Sequence, residues 1–204
     1  MAVRCEVVTT GASNTHTARI LLVSGSTRSA STNTALLRTA AATSPAGVEA
    51  MRYERMTDLP HFNPDDDVDP LPAAVADLRR RIEAADAVLF CTPEYAGALP
   101  GSFKNLLDWT VGGPEVYGKP VAWVNASASP TRAAKAHESL ETVLRTIHAD
   151  VVAAACTHIA VGRDRVADGV VADPEVRGRV AAVLERLAEY AASRTEWDPA
   201  SARG

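Results

Sequence analysis

Cysteine is scarce in this sequence: Cys5, Cys91 and Cys156 are the only three in 204 residues, and no two of them form a CxxC pair. This pattern predicts neither a disulfide framework nor a cysteine-built zinc site, and it favours a reducing, cytoplasmic location. Basic charge is not in excess, because 21 Lys and Arg face 25 Asp and Glu. With a net charge of −4, we expect no nucleic-acid partner and no attraction to a membrane surface. No uncharged apolar run approaches the roughly 18 residues of a membrane span.

Several catalytic motifs are also missing. The five histidines are scattered without HExxH spacing, so we expect no metal site. The GxSxG pattern is absent, which leaves a hydrolase on an α/β architecture without a visible nucleophile elbow. The basic triplet 79–81 fits a solvated helix face, and we expect Arg79 and Arg80 to face water.

What is present is a regular alternation of strand and helix signals. Residues 1–18 have no regular period and no signal-peptide pattern, so they read as a loose N-terminal extension, and 195–204 read as a frayed tail. Between them, 19–194 predict a single domain. Buried strands are predicted at 20–23, 48–53, 87–91, 121–124 and within 151–161, and helices lie between and after them. Such a chain favours a parallel sheet covered on both faces, with ligands bound beyond the carboxyl ends of its strands.

The loop after the first strand is rich in hydroxyl groups and opens a helix. Its candidate ligand-binding residues are Ser26, Arg28, Ser31, Thr32 and Asn33. Helix N-termini bind anions through free N–H groups, and an arginine fork fits phosphate oxygens, so the loop is a candidate phosphate site. It is neither a Walker A loop nor GxGxxG, because Gly25 stands alone. The simpler interpretation is a polar turn in which Ser31 or Thr32 is the N-cap.

The loop after the third strand carries a second set of candidates, namely Pro93, Glu94, Tyr95, Ala96 and Gly97. An aromatic and small residues at a strand's carboxyl end suit a flat ligand approached by backbone amides, and glycine permits close approach or a positive φ. A tight strand-to-helix turn with Tyr95 covering the core explains the same residues.

Together these two loops resemble the NADPH-dependent FMN reductase family, the flavodoxin-like quinone, azo and flavin reductases. The family's first pattern, GSxRxxSxN, is matched from Gly25 to Asn33. Its second pattern, PEYNGSxPGxLKNAIDW, is matched at ten positions: Pro93, Glu94, Tyr95, Gly97, Pro100, Gly101, Lys104, Asn105, Asp108 and Trp109. The resemblance spans nearly the whole chain and implies a flavodoxin-like, doubly wound, five-stranded parallel sheet of order 2-1-3-4-5 with helices on both faces.

The resemblance also implies an enzyme that passes electrons from NAD(P)H, through FMN, to a quinone, azo compound, free flavin or oxidised metal. Ser26, Arg28, Ser31 and Asn33 would hold the FMN phosphate, and 93–97 would contact the ring edge. The loop 125–132, with Ser127, would contact the ring and ribityl chain from the other side. No side chain need act as an acid or base, because the cofactor carries the chemistry. The family's habits further imply a homodimer or tetramer.

The residues leave two questions open: whether the protein is an enzyme or an electron carrier, and whether Trp109 lies in the core or at a subunit contact. A non-enzymatic electron carrier of the flavodoxin type would also bind FMN, although such carriers tend to be more acidic. Trp109 lies beside the main apolar stripe of the helix predicted at 99–110, where it fits either core packing or a contact between subunits.

Ala96 and Ala98 stand where the family usually has Asn and Ser, which predicts an open acceptor pocket with few fixed polar groups.

Overall fold

The computed structural model describes residues 17–194. The predicted extension 1–18 and tail 195–204 fall outside this range except for Thr17 and Ala18, and Ala18 begins the first strand. The main strands are β1 (Ala18–Ser24), β2 (Val48–Tyr53), β3 (Ala87–Cys91) and β4 (Pro120–Asn125). The helices are α1 (Thr32–Ala42), α2 (Ala73–Ala84), α3 (Gly101–Asp108), α4 (Ala134–Thr146) and α5 (Pro174–Ser193).

The parallel sheet has the order β2-β1-β3-β4-β5, so the predicted fold and strand order are confirmed. The predicted fifth strand is not continuous. It consists of β5 (Asp150–Val151) and β6 (Thr157–His158), both paired in parallel with β4 and separated by a 3-10 turn at Ala153–Ala155. A small antiparallel hairpin, β7 (Val166–Ala167) with β8 (Val170–Val171), precedes α5.

Two apolar cores lie on opposite faces of the sheet. One packs α1 and α5 against the sheet, and the other packs α2, α3 and α4 against it. Ile20 and Leu22 of β1 enter the first core, whereas Leu21 and Val23 enter the second, because alternate side chains of a strand point to opposite faces. A strand that is buried on both sides needs a continuous apolar run, which is why this segment has one.

The long connection between β2 and α2 is fastened to α2 by a buried ion pair, whose arginine also bonds the C-cap of α3. Contrary to the sequence prediction, Arg79 does not face water: its side chain is 10% exposed. Its Nη2 lies 2.6 Å from Asp67 Oδ1, and its Nε donates to the Trp109 carbonyl at 3.0 Å. Arg80 is exposed, as predicted, and pairs with Asp77.

Trp109 belongs to the same contact. It is fully buried in its own chain, its Nε1 donates to the Pro60 carbonyl at 2.8 Å, and its ring meets Phe62 edge-on. The core interpretation of Trp109 is therefore confirmed, and the alternative, in which it reaches a second subunit, is wrong. The helix that carries it is also shorter than predicted, since α3 ends at Asp108 and Trp109 occupies the C-cap.

Among residues 17–194, no helix is both long and apolar enough to traverse a bilayer. Within the same range, no three or more His, Cys, Asp or Glu side chains are grouped so as to hold a metal ion.

Candidate functional site

A cleft of about 740 Å³ lies at the carboxyl edge of the sheet, where the loops after β1, β3, β4 and β6 meet. Nine of the eleven predicted site residues line it: Ser26, Arg28, Ser31, Thr32, Asn33, Pro93, Glu94, Tyr95 and Ser127. Ala96 and Gly97 lie outside its lining. The volume falls within the range of roughly 300–1,000 Å³ that is usual for ligand pockets.

Gly25 allows the first loop to pass close to β3. Its N–H donates to the Cys91 carbonyl at 2.9 Å, which continues the pairing of β1 with β3. A Cβ at this position would lie only 2.7 Å from Thr92 Cβ and 2.9 Å from the Phe103 ring. Any side chain here would push the loop away from β3, so the position requires glycine for space.

Serine hydroxyl groups shape the rest of this loop. The Ser24 hydroxyl bonds that of Thr34 at 2.8 Å and accepts the Ser26 N–H at 3.3 Å. The Ser26 hydroxyl accepts the Arg28 N–H, also at 3.3 Å. These local turns hold the Arg28 backbone at the mouth of the cleft, and its side chain lies exposed there.

Ser31 is the N-cap of α1, as the simpler interpretation predicted, because its hydroxyl accepts the Thr34 N–H at 3.4 Å. The first N–H groups of the helix, those of Thr32 and Asn33, have no acceptor within a helix and stand at the cleft. The Asn33 side chain is buried, and its Oδ1 accepts the Cys91 Sγ–H at 3.2 Å. Asn33 therefore also holds α1 against β3.

The loop after β3 forms a tight hairpin in which Tyr95 and Ala98 exchange backbone hydrogen bonds of 3.1 and 3.0 Å. Ala96 and Gly97, at its tip, both have positive φ, of 51° and 74°. The small side chains at 96 and 98 thus lie at an exposed turn and not in the cleft lining. Neither side chain lines this cleft, and the prediction that they leave the acceptor pocket open stays a prediction.

Among the described residues, Glu94 is the one carboxylate in the lining, and it caps α4. Its Oε2 accepts the N–H of Ala136, 42 residues away, at 3.3 Å. The N-cap of α4 is Ala133, whose side chain can make no such bond and whose φ is 60°. The Glu94 negative charge is therefore directed at a helix N-terminus, where it is favourable.

The loop 125–132 is held by its own polar groups. The Asn125 amide and the Ser127 hydroxyl both donate to the Arg132 carbonyl, at 2.8 and 2.9 Å. The Ser127 hydroxyl also lies 2.6 Å from the Ser129 carbonyl. Ser127 thus lines the cleft while it stabilises the loop that forms one wall.

Sequence reasoning missed Arg163 as a member of the lining and singled out Arg132 only as part of a loop. Both line the cleft with Arg28, and within 17–194 none of these three guanidinium groups pairs with a carboxylate. The interruption of the fifth strand brings Arg163 to this edge. The sequence predicted a strand within 151–161 and gave no signal that Arg163 would line the cleft. The cleft consequently carries an excess of positive charge.

His137 directly follows Ala136 in α4 and therefore lies next to the Glu94 contact. Its Nδ1 is 2.7 Å from the Ala133 carbonyl, its ring packs on Trp123 with centroids 4.8 Å apart, and it is only 3% exposed. Burial lowers the pKa of this imidazole, and the hydrogen bond to Ala133 opposes the shift. A backbone contact with Val124 opposes the shift as well, although Nε2 makes no hydrogen bond of normal geometry with the described residues.

The buried cysteine thiols have no visible part in the cleft chemistry. Burial raises the pKa of Cys91 far above its usual range and that of Cys156 to about 11. Both thiols therefore stay protonated near neutral pH, which is the inert behaviour the sequence predicted. Cys156, however, is half-buried and follows a 3-10 turn, whereas a strand was predicted there.

The doubly wound fold, with a cleft at the carboxyl edge of its parallel sheet, defines an α/β protein of the flavodoxin type. The model of the NADPH-dependent FMN reductase family matches residues 18–164, which is most of the chain. The chain therefore belongs to this family of oxidoreductases.

Individual relatives agree with this assignment. The chain is 38% identical over 128 residues to an NAD(P)H-dependent FMN reductase of Pseudomonas aeruginosa, covering 62% of this chain and 69% of the relative. It is 31% identical over 137 residues to a quinone reductase of Escherichia coli K12, covering 66% and 73%. Among solved structures, it resembles FerB, a flavoenzyme NAD(P)H:acceptor oxidoreductase of Paracoccus denitrificans. That likeness has a TM-score of 0.72 and 30% identity, and it covers 84% of this chain and 98% of FerB.

The comparisons confirm the function predicted from the sequence, an enzyme that uses NAD(P)H and FMN. They do not support the alternative of a non-enzymatic carrier.

Proposed function

We propose that the cleft binds FMN with its phosphate at the N-terminus of α1 and its ring between the loops 93–98 and 125–132. One observation supports this orientation above the others. Ser26, Arg28 and the first residues of α1 line the same cleft as Tyr95 and Ser127. Hydroxyl, N–H and guanidinium donors are the groups that bind a phosphate. The donor set present therefore fits FMN.

Each wall then has a separate task. Arg28 supplies a fixed positive charge, and Ser26 and the α1 N–H groups supply hydrogen bonds to phosphate oxygens. Pro93, Glu94 and Tyr95 bring the second loop against the ring edge. Ser127 holds the opposite wall in place through its bonds to the loop backbone. FMN, once bound, supplies the redox chemistry by accepting a hydride from NAD(P)H and passing electrons to a second substrate.

We infer that the electron acceptor is a small molecule, with a quinone or a free flavin favoured by the relatives' names. The experiment is a visible spectrum of the purified protein before and after NADPH is added under nitrogen. An oxidised flavin band that bleaches with NADPH and returns on addition of a quinone is the expected result. Protein that never takes up FMN would contradict the proposal, and flavin that NADPH leaves oxidised would contradict the reductase activity.

We further propose a homodimer or tetramer in the cytoplasm. Val68 and Val111 are each 60% exposed, and large exposed apolar side chains favour interfaces. Val111→Asp should therefore shift the mass seen by light scattering towards the monomer, while the exposed Thr142→Asp should not. A wild-type protein that is monomeric at micromolar concentration would contradict self-association.

A further inference from the structure

The N-terminus of α4 lacks a cap of its own. Helices usually begin with Ser, Thr, Asp or Asn, whose side chain accepts one of the first N–H groups. Here the N-cap is Ala133, in a left-handed conformation with φ 60°. Ala136, in the first turn, is fully buried, so water cannot replace a missing acceptor for its N–H. The acceptor has to come from another part of the chain.

Glu94 provides it from the loop after β3, through the 3.3 Å contact between its Oε2 and the Ala136 N–H. The hairpin also lies near the first turn of α4 at a neighbouring point, because a Cβ built on Gly97 would lie 3.8 Å from Lys135 Cδ. The Glu94 hydrogen bond is therefore made where the hairpin and α4 lie side by side.

This contact joins the two walls of the cleft. Glu94 directly precedes Tyr95 on one wall, and Ala133 and Arg132 end the loop that forms the other. That loop is tied at its start by Asn125 and Ser127, which both donate to the Arg132 carbonyl. These bonds tie Arg132 back to the start of its own loop, whereas the Glu94 contact joins the end of that loop to the opposite wall.

We propose that Glu94 is a positioning residue that fixes the distance between the two loops by capping α4. This assignment rests on the proposed function, because the loops are the walls that would hold the flavin ring. The Glu94 side chain acts through the Ala136 N–H and not on the reacting atoms. Its loss should weaken FMN and riboflavin equally, because both share the ring. Loss of Arg28, in contrast, should weaken FMN alone.

The test compares Glu94→Ala with Glu94→Gln, which keeps an oxygen that can accept the N–H. Glu138→Ala is the matched control, because it removes an exposed carboxylate from the same helix. Hydrogen exchange of the Ala136 amide is measured without flavin, and affinities for FMN and riboflavin are then measured by fluorescence quenching. We expect Glu94→Ala to speed exchange at Ala136 and to weaken both flavins by about 3- to 30-fold, the range typical of a lost helix cap. Glu94→Gln should restore most of both properties, and Glu138→Ala should change neither.

Three results would overturn the proposal. Unchanged exchange at Ala136 in Glu94→Ala would show that the carboxylate does not cap α4. Faster exchange with unchanged flavin affinity would show a cap that does not position the cleft. A loss confined to FMN would place Glu94 at the phosphate end. Failure of the wild-type protein to bind either flavin is a separate result, which would overturn the proposed function itself.

Discussion

Arg28 carries the only charge in the loop 25–33, and its guanidinium reaches the cleft without a carboxylate partner among the described residues. The loop's other donors are hydroxyl and N–H groups, several of which already make hydrogen bonds within the loop. The net charge available to a phosphate at this point therefore depends on one side chain.

Arg28→Ala should weaken FMN binding by about 1.5–3 kcal/mol, the usual contribution of a hydrogen bond to a charged group. Riboflavin, which has no phosphate, should bind almost unchanged. Titration of the apoprotein with each flavin checks this difference. Equal losses for the two ligands would contradict the phosphate assignment.

Ala96 occupies a backbone conformation that alanine rarely adopts. A left-handed φ costs an L-residue roughly 1–2 kcal/mol, and Asn tolerates it better than most residues. Ala96→Asn should therefore raise the free energy of unfolding by about 0.5–1 kcal/mol.

Urea denaturation measures this gain, and Ala98→Asn is its control. Ala98 belongs to the same hairpin but has no positive φ, so an asparagine there should give no stabilisation. An equal gain at both positions would show that the effect comes from the amide group and not from the backbone conformation.

At the scale of elements, the contact between α2, α3 and the connection that follows β2 depends on a buried charge. The Asp67 side chain is 9% exposed, and Arg79 is its ion-pair partner. Removing one member of a buried pair leaves an uncompensated charge and costs about 3–5 kcal/mol.

Arg79→Ala should therefore destabilise the protein by about 3 kcal/mol or more, because Asp67 and the Trp109 carbonyl both lose their partner. Arg80→Ala removes the neighbouring, exposed arginine and should cost no more than about 1 kcal/mol. Thermal or urea unfolding of the two variants makes the comparison. Similar losses would show that the buried pair contributes no more than a surface pair.

The two arginines also show what the sequence could and could not predict. Apolar runs and their spacing located β1 to β4 and all five helices, because burial on both faces demands such runs. Arg79 was misplaced because its partner, Asp67, lies in an irregular loop whose path no periodicity indicates. The ends of the fifth strand, and with them Arg163, were missed for the same reason. Within the cleft, the family motifs gave Glu94, but its capping of α4 depends on a contact 42 residues away.

For the whole molecule, His137 makes stability depend on pH. Burial lowers its pKa in the folded protein relative to the unfolded chain, where it is about 6.5. The unfolded chain therefore binds the proton more readily, and acid favours unfolding. The stabilising contribution is complete above about pH 6.5 and decreases as the pH falls below it, with a slope no steeper than about 1.4 kcal/mol per pH unit.

Urea unfolding at pH 7.5 and pH 5.5 should show this loss in the wild type. His137→Phe, which can keep the packing on Trp123, should show a smaller difference between the two pH values. Thr142→Ala provides the control, since it changes an exposed residue of the same helix without removing a titratable group and should leave the difference unchanged. A wild-type protein equally stable at both pH values would contradict the role of His137.

The broken fifth strand also affects how copies of this chain meet one another. A long open edge of a sheet exposes a row of unpaired N–H and C=O groups, to which a strand of another molecule can add. Here that edge offers only two residues in β5 and two in β6, and the 3-10 turn at Ala153–Ala155 interrupts them. A foreign strand would find no continuous ladder on this side. The irregularity in the fifth strand thus also makes this edge of the sheet, opposite to β2, a poor template for a strand of another molecule.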